Sequence, residues 1–369
     1  MRRILITGGA GFIGSHLADQ LLSRGCRVRV LDSLVPQVHG ENEPDYLHRD
    51  IELVRGDVRD QALARRALTG IDAVYHFAAA VGVGQSMYEI QNYTSINAVG
   101  TAVLLEALAT QPVEQLIVAS SMSVYGEGLY RDADDGLHVV SERSLQQLKD
   151  GGWEFTDERG ATLQPVATPE TKAPCLSSVY ALTKYAQESM CLMVGRAYHI
   201  PTVALRFFNV YGPRQALSNP YTGVLAIFAS RFLNDKPPLI FEDGEQKRDF
   251  VSVHDIVQAC LLCLDAPHSA GGVFNIGSGE SYTIRELAER MAQALGKEDI
   301  EPQITGKYRV GDIRHCFADI TLARARLGYV PRVSLQKGIV ELAGWLEGRA
   351  ATDRVEHASR ELTLRGLTL

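Results

Sequence analysis

The sequence predicts an α/β protein in which a doubly wound parallel sheet is accompanied by a smaller mixed α/β domain. Three observations support this fold class. Short apolar runs alternate with helical patterns through the first third of the chain, as in a parallel sheet covered by helices. A glycine-rich turn joins the first such run to the first helix. After Asn209–Pro213 the pattern changes to short strands between helices, which indicates a second domain.

Size and composition are those of an ordinary globular protein. The 369 residues leave room for about two domains, and 46% of them are hydrophobic and 22% charged. A formal net charge of −7 gives no basic surface for nucleic acid or an anionic membrane. We find no signal peptide and no apolar stretch long enough to cross a bilayer. Six scattered cysteines indicate thiols in a reducing compartment, so we expect a cytoplasmic protein.

The chain begins with a βαβ unit. An apolar run, Arg3–Thr7, passes into a glycine-rich turn, Gly8–Gly14, and then into an amphipathic stretch, Ser15–Ser23. A second apolar run, Cys26–Leu31, ends at Asp32. The glycines let the backbone turn tightly and approach a pyrophosphate, and the start of the helix supplies free N–H groups. A carboxylate after the second strand accepts hydrogen bonds from a ribose and repels a 2′-phosphate. The unit therefore predicts a Rossmann domain that binds NAD rather than NADP.

The rest of the sheet follows the same alternation. The predicted strands and helices are Ile51–Val54, Gln61–Leu68, Ala73–Phe77, Ser95–Leu108 and Leu116–Ala119. The carboxyl ends of parallel strands line the ligand crevice of such a sheet. We therefore expect the residues that follow these strands to converge on the cofactor, namely Asp57, Phe77–Ala79 and Ser120–Ser121.

A polar, acidic stretch from Gly126 to Lys172 interrupts the alternation. We expect an inserted surface excursion over residues 127–173, with one short helix around Ser144–Leu148. The Asp132–Gly136 run lacks the spacing and the closing glutamate of a calcium loop, and the single His138 has no cysteine partner. No metal site is therefore expected.

A long helix, Ser177–Tyr198, and a strand, Thr202–Phe207, complete the first domain, residues 1–206. The second domain, residues 207–349, is assigned the elements Val224–Leu233, Leu239–Phe241, Arg248–Val253, Val253–Leu264, Val273–Ile276, Thr283–Leu295 and Ser334–Glu347. Thr283 and Glu286 have capping-box spacing, and the Cys260-x-x-Cys263 pair is interpreted as core packing. Residues 350–369 are expected to form a polar, frayed tail.

Tyr180 and Lys184 are four residues apart in the long helix, so both side chains project from one face. A free phenol has a pKa near ~10 and is a poor base at neutral pH. A nearby ammonium and the positive nicotinamide of NAD⁺ favour the phenolate and lower that pKa. We expect Tyr180 to act as a base, with Lys184 supporting it and holding the nicotinamide ribose.

With these motifs the sequence resembles the extended short-chain dehydrogenase/reductase family, and within it the nucleotide-sugar epimerases and dehydratases. The resemblance extends to about Tyr329. Its landmarks are Thr7–His16, Gly56–Val58, His76–Ala79, Asn97–Thr101, Ser120–Gly126, Tyr180–Lys184, Arg206–Pro213, Arg248–Asp255 and Gly311–Asp312.

The resemblance implies that Ser121, Tyr180 and Lys184 are catalytic. In the family's 4,6-dehydratases an Asp-Glu pair follows this serine and supplies the acid and base of the elimination. This chain has Met122 and Ser123 there, and neither exchanges protons usefully at neutral pH. Hydride transfer at carbon 4 of the sugar is the chemistry that remains.

The motifs and the resemblance together give two sets of binding residues. The cofactor set is Gly8, Gly11, Phe12, Ile13, Gly14, Asp32, Ser33, Asp57, Val58, Phe77, Ala78, Ala79, Asn97, Ser120, Tyr180, Lys184 and Phe208. The substrate set is Ser121, Met122, Ser123, Asn209, Val224, Leu225, Leu239, Ile240, Phe241, Arg248, Arg309, Asp312 and Cys316. By resemblance, the two arginines bind the diphosphate, Leu239–Phe241 covers the base, and the small Cys316 leaves room beside the sugar.

The insertion and the Asn219–Val224 segment look most similar to the dTDP-L-rhamnose 4-epimerase branch of the family. We expect a 4-epimerase acting on a dTDP-linked 6-deoxyhexose, with a UDP-hexose or UDP-N-acetylhexosamine as the alternative substrate. A keto-sugar reductase is disfavoured by Asp32, and a scaffold that holds NAD without catalysis is disfavoured by the complete catalytic group. In this family the helices that correspond to Ser95–Leu108 and Ser177–Tyr198 build a dimer interface, so we expect a homodimer.

Overall fold

A computed structural model describes residues 1–40, 43–216, 223–309, 311–347 and 355–368, without the side chains of Pro267, His357 and Ala358. Residues 219–222, which contribute to the resemblance to the rhamnose epimerase branch, lie outside this part of the chain, as do residues 350–354 of the predicted tail.

The strands within the described residues are, in chain order, β1 (Arg3–Thr7), β2 (Arg27–Asp32), β3 (Glu52–Arg55), β4 (Ala73–His76), β5 (Gln115–Ser121), β6 (Leu129–Arg131), β7 (Leu137–Val139), β8 (Gln164–Val166), β9 (Thr202–Phe207), β10 (Asn209–Tyr211), β11 (Leu239–Ile240), β12 (Lys247–Arg248), β13 (Phe250–Ser252), β14 (Val273–Ile276), β15 (Tyr282–Thr283), β16 (Gln303–Ile304) and β17 (His315–Cys316).

The helices are α1 (Phe12–Ser23), α2 (Pro36–His39), α3 (Gln61–Leu68), α4 (Val83–Ser86), α5 (Ile90–Tyr93), α6 (Gly100–Thr110), α7 (Leu145–Lys149), α8 (Val179–Ala197), α9 (Val224–Leu233), α10 (Val253–Asp265), α11 (Ile284–Leu295), α12 (Thr321–Leu327), α13 (Leu335–Leu346) and α14 (Val355–Leu364). A π-helical turn, Thr94–Val99, joins α5 to α6, and 3₁₀ turns follow β5 at Met122–Tyr125 and α10 at Pro267–Ser269. Within the described residues, no helix combines the length and the apolar character that crossing a membrane requires.

The central sheet has seven strands in the order β14-β9-β5-β4-β1-β2-β3, and every neighbouring pair is parallel. This arrangement confirms the predicted doubly wound α/β fold. β14, which the sequence placed in the second domain, pairs with β9 of the first from Val273↔Ala204 to Ile276↔Phe207. The chain therefore returns to the central sheet after it has entered the second domain.

Helices cover both faces of the sheet. On one face, Leu17 and Leu21 of α1 pack with Ile256 and Cys260 of α10, and all four side chains are fully buried. Cys263 is buried in the same core, so the interpretation of the Cys-x-x-Cys pair as core packing is confirmed. The other face is covered by α3, α6 and α8. All six cysteines are free thiols.

The second domain has a core of its own. Phe228 of α9, Leu287 of α11 and Ile339 of α13 meet there and are at most 1% exposed. The predicted capping box of α11 is present: Thr283 Oγ1 accepts a hydrogen bond from Glu286 N, and the Glu286 carboxylate accepts one from Thr283 N. This reciprocal pair satisfies two backbone donors at the start of the helix.

The insertion lies largely at the surface and folds into a small unit of its own. β6 pairs antiparallel with β7 and β8, and Tyr130 packs against Phe155 and Leu163 in a small core. Arg143 of the insertion is buried and binds Glu242 of the second domain, with Nη2 to Oε1 at 2.7 Å. The polar composition did not predict this buried ion pair, in which the opposite charges offset each other's loss of hydration.

The C-terminal segment is also more ordered than its sequence predicted. Residues 355–364 form α14, and Leu362 and Thr368 are 4% and 3% exposed. Glu356 pairs with Arg231 at 3.2 Å, and Thr368 forms a β-bridge with Arg309. The expectation of a frayed tail is therefore wrong for residues 355–368, because Leu362 is anchored by apolar packing.

Candidate active site

Tyr180, Lys184 and Ser121 are brought together where α8 begins and β5 ends. Ser178 caps α8, since its hydroxyl accepts a hydrogen bond from Ala181 N at 3.1 Å. Tyr180 and Lys184 follow in the first turns of this helix and are 9% and 3% exposed, and Ser121, the last residue of β5, is 8% exposed. The fold thus collects a phenol, an ammonium and a hydroxyl in one buried site.

Burial disfavours the charged forms of both side chains, the phenolate of Tyr180 and the ammonium of Lys184. It raises the pKa of the Tyr180 phenol, and a hydrogen bond with the Ser121 hydroxyl lowers this pKa and partly offsets the effect. It lowers the pKa of the Lys184 ammonium to about 8. A phenolate at this position therefore requires further positive charge, which a cationic nicotinamide ring would supply.

Ser121 is oriented by the 3₁₀ turn that follows it. Its Oγ accepts hydrogen bonds from Ser123 N at 3.2 Å and from Ser123 Oγ at 2.9 Å. Because both of these bonds are accepted, the proton of the Ser121 hydroxyl is directed to another partner. The Ser121 hydroxyl also lowers the pKa of the Tyr180 phenol, so it lies on the side of the site that faces the phenol.

The two positions after Ser121 carry no carboxylate. Met122 is buried, with its sulfur 3.9 Å from the amide nitrogen of Asn209. The next carboxylate along the chain, Glu127, accepts hydrogen bonds from the Tyr130 hydroxyl and from the backbone N–H groups of residues 314 and 315. Glu127 is therefore engaged in the packing of the insertion.

The glycine turn has the shape that a pyrophosphate requires. Gly8 has φ of +70°, and a Cβ there would lie 2.8 Å from Ala78 N. A Cβ on Gly14 would lie 2.6 Å from Gly8 O. Any side chain at these two positions would disrupt the turn or the packing of α1 on β1. The turn leads directly into the start of α1, whose N-cap is Gly11.

Asp32 lies beside this turn at the end of β2 and is 8% exposed. Its carboxylate accepts hydrogen bonds from Ala10 N at 3.0 Å and Leu34 N at 2.9 Å. The donors of the turn, the carboxylate after β2 and the Tyr180–Lys184 pair fit NAD, because they match its pyrophosphate, its ribose and its cationic ring.

The other predicted cofactor residues adjoin the carboxyl ends of neighbouring strands. Asn97 binds Ala80 twice, with Oδ1 accepting from Ala80 N at 2.7 Å and Nδ2 donating to Ala80 O at 3.0 Å, which fixes the segment after β4. Asp57 pairs with Arg59 at 2.6 Å, and this hydrogen bond lowers the pKa of the Asp57 carboxyl. The remaining members are Phe12 and Ile13 at the start of α1, Ser33 after β2, Val58 after β3, Phe77–Ala79 after β4, Ser120 in β5 and Phe208 after β9.

The predicted diphosphate residues are each held by neighbours in the second domain. Arg248 lies 3.7 Å from Asp312 and also donates to the backbone carbonyls of residues 313 and 314. The guanidinium of Arg309 stacks on Phe241, 4.1 Å from the ring centre. Asn209 donates from Nδ2 to the backbone carbonyl of residue 249 at 2.9 Å, which fixes the orientation of its amide.

Other predicted substrate residues are placed differently. Leu225 and Ile240 are 1% and 0% exposed, and their side chains belong to the core of the second domain. Val224 and Leu239 are half-buried. Cys316 is buried, its sulfur lies 3.9 Å from Thr168 Oγ1, and burial raises the pKa of its thiol to about 12. Cys316 is thus a small neutral group.

Comparison with known protein families is consistent with this geometry. Residues 4–144 and 158–277 match the NAD dependent epimerase/dehydratase family. The chain belongs to this family. Its resemblance to the extended short-chain dehydrogenase/reductases is thereby confirmed, and NAD is the cofactor of the family.

Relatives within the epimerase/dehydratase family align with nearly the whole chain. The dTDP-L-rhamnose 4-epimerase of Burkholderia thailandensis is 38% identical over 351 residues, which cover 94% of this chain and 95% of that protein. The crystal structure of Thermotoga maritima UDP-glucose 4-epimerase with UDP-glucose has a TM-score of 0.76 and 31% identity, covering 94% of this chain and 98% of that one. Thermus thermophilus UDP-glucose 4-epimerase with NAD has a TM-score of 0.74 and 31% identity, covering 94% and 99%.

Several groups beside the glycine turn and Lys184 were not predicted from the sequence. His39 lies 3.6 Å from Asp32, and Tyr46 donates to Ala10 O at 2.9 Å, so both pack beside the glycine turn. Gln187 and Glu188 are buried on α8, three and four residues after Lys184. Their spacing from Lys184 was a usable signal, because side chains at these separations share one face of a helix. No comparable signal connects residues 39 and 46 to Asp32.

Proposed function

We propose that the protein is an NAD-dependent nucleotide-sugar 4-epimerase that inverts carbon 4 through a transient 4-keto sugar. The observation that carries this proposal is the buried group of Ser121, Tyr180 and Lys184 beside Met122 and Ser123. The first three side chains are suited to proton transfer at a single sugar hydroxyl. The last two supply no acid or base for the elimination of water.

The residues that would hold NAD are those of the first βαβ unit and the catalytic helix. The start of α1, reached through Gly8 and Gly11, would bind the pyrophosphate, and Asp32 would bind the adenosine ribose. Lys184 would bind the nicotinamide ribose. NAD held by these residues would supply the acceptor and donor of hydride for carbon 4 of the sugar.

The protein's own side chains manage the proton. Tyr180 accepts the proton of the sugar 4-hydroxyl and returns it when carbon 4 is reduced again. The Ser121 hydroxyl, oriented by Ser123, donates a hydrogen bond to the oxygen that is negatively charged at that moment. Lys184 stabilises the Tyr180 phenolate by its positive charge. Proton transfer and orientation are thus divided among three neighbouring side chains.

Inversion requires the 4-keto sugar to present its other face, so the sugar has to turn while the nucleotide stays in place. Arg248 and Arg309 are suited to hold the diphosphate, and Asp312 lies close enough to Arg248 to orient its guanidinium. Asn209, whose amide is fixed by a backbone carbonyl, is placed to contact the same phosphates. Cys316 is small, which leaves space for the turning sugar.

We propose dTDP-L-rhamnose as the sugar nucleotide. This assignment is supported by the 38% identity to the B. thailandensis dTDP-L-rhamnose 4-epimerase over 94% of the chain. A UDP-hexose or UDP-N-acetylhexosamine is the second candidate, supported by the T. maritima neighbour, whose structure holds UDP-glucose, and by the small side chain at Cys316. Both candidates use the same catalytic group.

We also propose a homodimer built on α6 and α8, and a cytoplasmic location. Val99, Leu182 and Met193, on and next to these helices, are 50–54% exposed, and an apolar face of this kind is suited to a second copy of the chain. The cytoplasmic location is supported by the six free thiols.

The test is to incubate the purified protein separately with dTDP-L-rhamnose, UDP-glucose and UDP-N-acetylglucosamine, and to follow the anomeric protons by NMR. New signals of the 4-epimer from one of the three assign the substrate. Deuterium placed on carbon 4 should remain within the sugar through inversion.

The Tyr180→Phe variant is the control, and its rate of conversion should be lower by about 100-fold or more. Stoichiometric release of NADH, or consumption of added NADPH by a keto-sugar nucleotide, would instead identify a dehydrogenase or a reductase. Unchanged conversion by Tyr180→Phe would exclude the catalytic role of the phenol.

A further inference from the structure

Gln187 lies fully buried on α8, one turn beyond Lys184. The Lys184 ammonium donates a hydrogen bond from Nζ to Gln187 Oε1 at 2.8 Å. An ammonium is only a donor, so the atom of the amide that faces it has to be the oxygen. The NH₂ group of the same amide therefore points away from Lys184.

The NH₂ end of Gln187 is held by the sheet and by α6. Nε2 donates to Thr101 Oγ1 at 2.9 Å and to Ala78 O at 3.3 Å. Thr101 Oγ1 donates its own proton to the backbone carbonyl of residue 97 at 2.6 Å, so it accepts from Gln187. The amide thus forms a bridge from α6 and the end of β4 to the Lys184 ammonium.

A buried histidine completes this network. His76 lies between Thr7 Oγ1, at 2.7 Å from Nδ1, and Thr101 Oγ1, at 2.8 Å from Nε2. Burial lowers the pKa of His76 to about 3, so the ring is neutral. Since Thr101 donates to the carbonyl of residue 97, Nε2–H of His76 donates to Thr101 and Nδ1 accepts from Thr7. Gln187 Nε2, at 3.2 Å from His76 Nε2, then donates to Thr101 and Ala78 and not to the ring. Thr101, which accepts from Gln187, is therefore itself held in place by His76.

The other ionisable groups around Lys184 do not compete for its ammonium. On α8, Glu188 is engaged by Arg206 and Ser120, and burial raises the pKa of the Cys191 thiol to about 12. Tyr180 lies one turn before Lys184, and on β4 the neighbouring His76 is neutral. Gln187 is thus the neutral acceptor that sets the position of the ammonium.

We propose that Gln187 is a positioning residue that fixes the place of the Lys184 ammonium through this hydrogen bond and supports its charge. The inference rests on the proposed function, since it assigns how the catalytic pair of that function is maintained. It makes two separable statements. The amide oxygen supports the charge on Lys184, and the amide NH₂ fixes where that oxygen lies.

The test compares Gln187→Leu and Gln187→Glu with a control, Gln115→Leu. Gln115 is a buried glutamine on the same sheet that donates to Cys263 O at 2.7 Å and has no contact with Lys184. Gln187→Leu removes the acceptor, so kcat should fall by about tenfold or more with little change in KM. The alkaline limb of the pH profile of kcat should move to lower pH. Gln187→Glu keeps an acceptor and should move that limb back. Gln115→Leu should leave the limb where it is in the parent protein.

A second readout does not depend on turnover. The protonation of Lys184 is followed in the full-length protein by NMR of ¹³C-labelled lysine, with the signal assigned by its loss in Lys184→Met. The proposal requires Lys184 to titrate at lower pH in Gln187→Leu than in Gln115→Leu. Equal titration in these two variants would overturn it. If the parent protein epimerises none of the sugar nucleotides, the proposed function fails, and the lysine titration still tests Gln187 separately.

Discussion

Arg206 and Glu188 form a two-pronged ion pair inside the protein, with Nη2 to Oε1 at 2.6 Å and Nε to Oε2 at 3.0 Å. The Ser120 hydroxyl donates to the same carboxylate at 2.6 Å, and Arg206 also donates to the Tyr125 hydroxyl at 2.8 Å. The pair therefore joins α8 to β5 and β9 beside the catalytic Ser121. It fixes the distance between the helix that bears Tyr180 and the strand that bears the serine.

Arg206→Met should lower the free energy of unfolding by about 3–5 kcal/mol, because it leaves the buried Glu188 carboxylate without its counter-charge. Urea unfolding followed by circular dichroism measures the change. Arg24→Met is the matched control. Arg24 pairs with Asp265 at 2.8 Å at the surface, with side chains 45% and 58% exposed, and its loss should cost at most about 1 kcal/mol. Equal effects of the two substitutions would contradict the role assigned to the buried pair.

A second buried network attaches the insertion to the second domain. Arg314 is fully buried and binds Glu154 of the insertion at 2.5 Å, Asp243 at 2.6 Å and Glu242 at 2.9 Å. His315 binds Glu154 as well, at 3.0 Å. Burial alone would raise the pKa of the Glu154 carboxyl, but the hydrogen bonds from His315 and Arg314 lower it to about 2.

Glu154 should therefore make the stability of the protein depend on pH in the acidic range. Its pKa is lower in the folded than in the unfolded chain, so its contribution is complete above about pH 5 and is lost as the pH falls toward 2. Glu154→Gln should be less stable at neutral pH and should show a smaller loss of stability between pH 5 and pH 3. Glu158→Gln, at an exposed position of the same insertion, should behave like the parent protein. Urea midpoints across this pH range decide between the two outcomes.

The parts of the fold that were predicted from the sequence are those specified by neighbouring residues. The glycine turn after Thr7, the acid at Asp32 and the Tyr180–Lys184 spacing are local patterns. The short continuous apolar runs are also local, because strands of a parallel sheet are buried on both faces. These patterns predicted the order of the strands and helices of the first domain and the convergence of their ends. The division between the domains at residue 206, and the roles of the individual site residues, stay predictions.

The parts that were missed depend on distant partners. Glu154 is separated from Arg314 by 160 positions, and a glutamate in a polar stretch predicts a solvated loop unless its partner is known. The same holds for Gln187, which meets Thr101 from 86 positions away. Buried polar groups are specified by such pairs, and a single sequence does not reveal the pairing.

The C-terminal segment supplies a third prediction. Leu362 packs so close to Gly84 that a Cβ on that glycine would lie 3.3 Å from Leu362 Cδ2. Leu362→Asp places a charge in this apolar contact, so α14 should detach and residues 355–368 should be cut by a nonspecific protease at least about tenfold faster. Leu364→Asp is the control on the same helix, because Leu364 is 81% exposed. Cleavage at the same rate in both variants would show that Leu362 does not anchor the segment.

Lys184 should make the protein more stable as the pH rises from about 8 to 10.5. Burial lowers its pKa to about 8 from an unfolded value of 10.5, so between these values the unfolded chain binds the extra proton. Stability then increases with pH by about 1.4 kcal/mol for each pH unit, to a total of about 3 kcal/mol. Lys184→Met removes this dependence, whereas Lys337→Met, at an exposed position, retains it. The measurement is the urea unfolding free energy of the three proteins at pH 7.5, 9 and 10.5. If the parent protein and Lys184→Met change by equal amounts, burial does not destabilise the ammonium of Lys184.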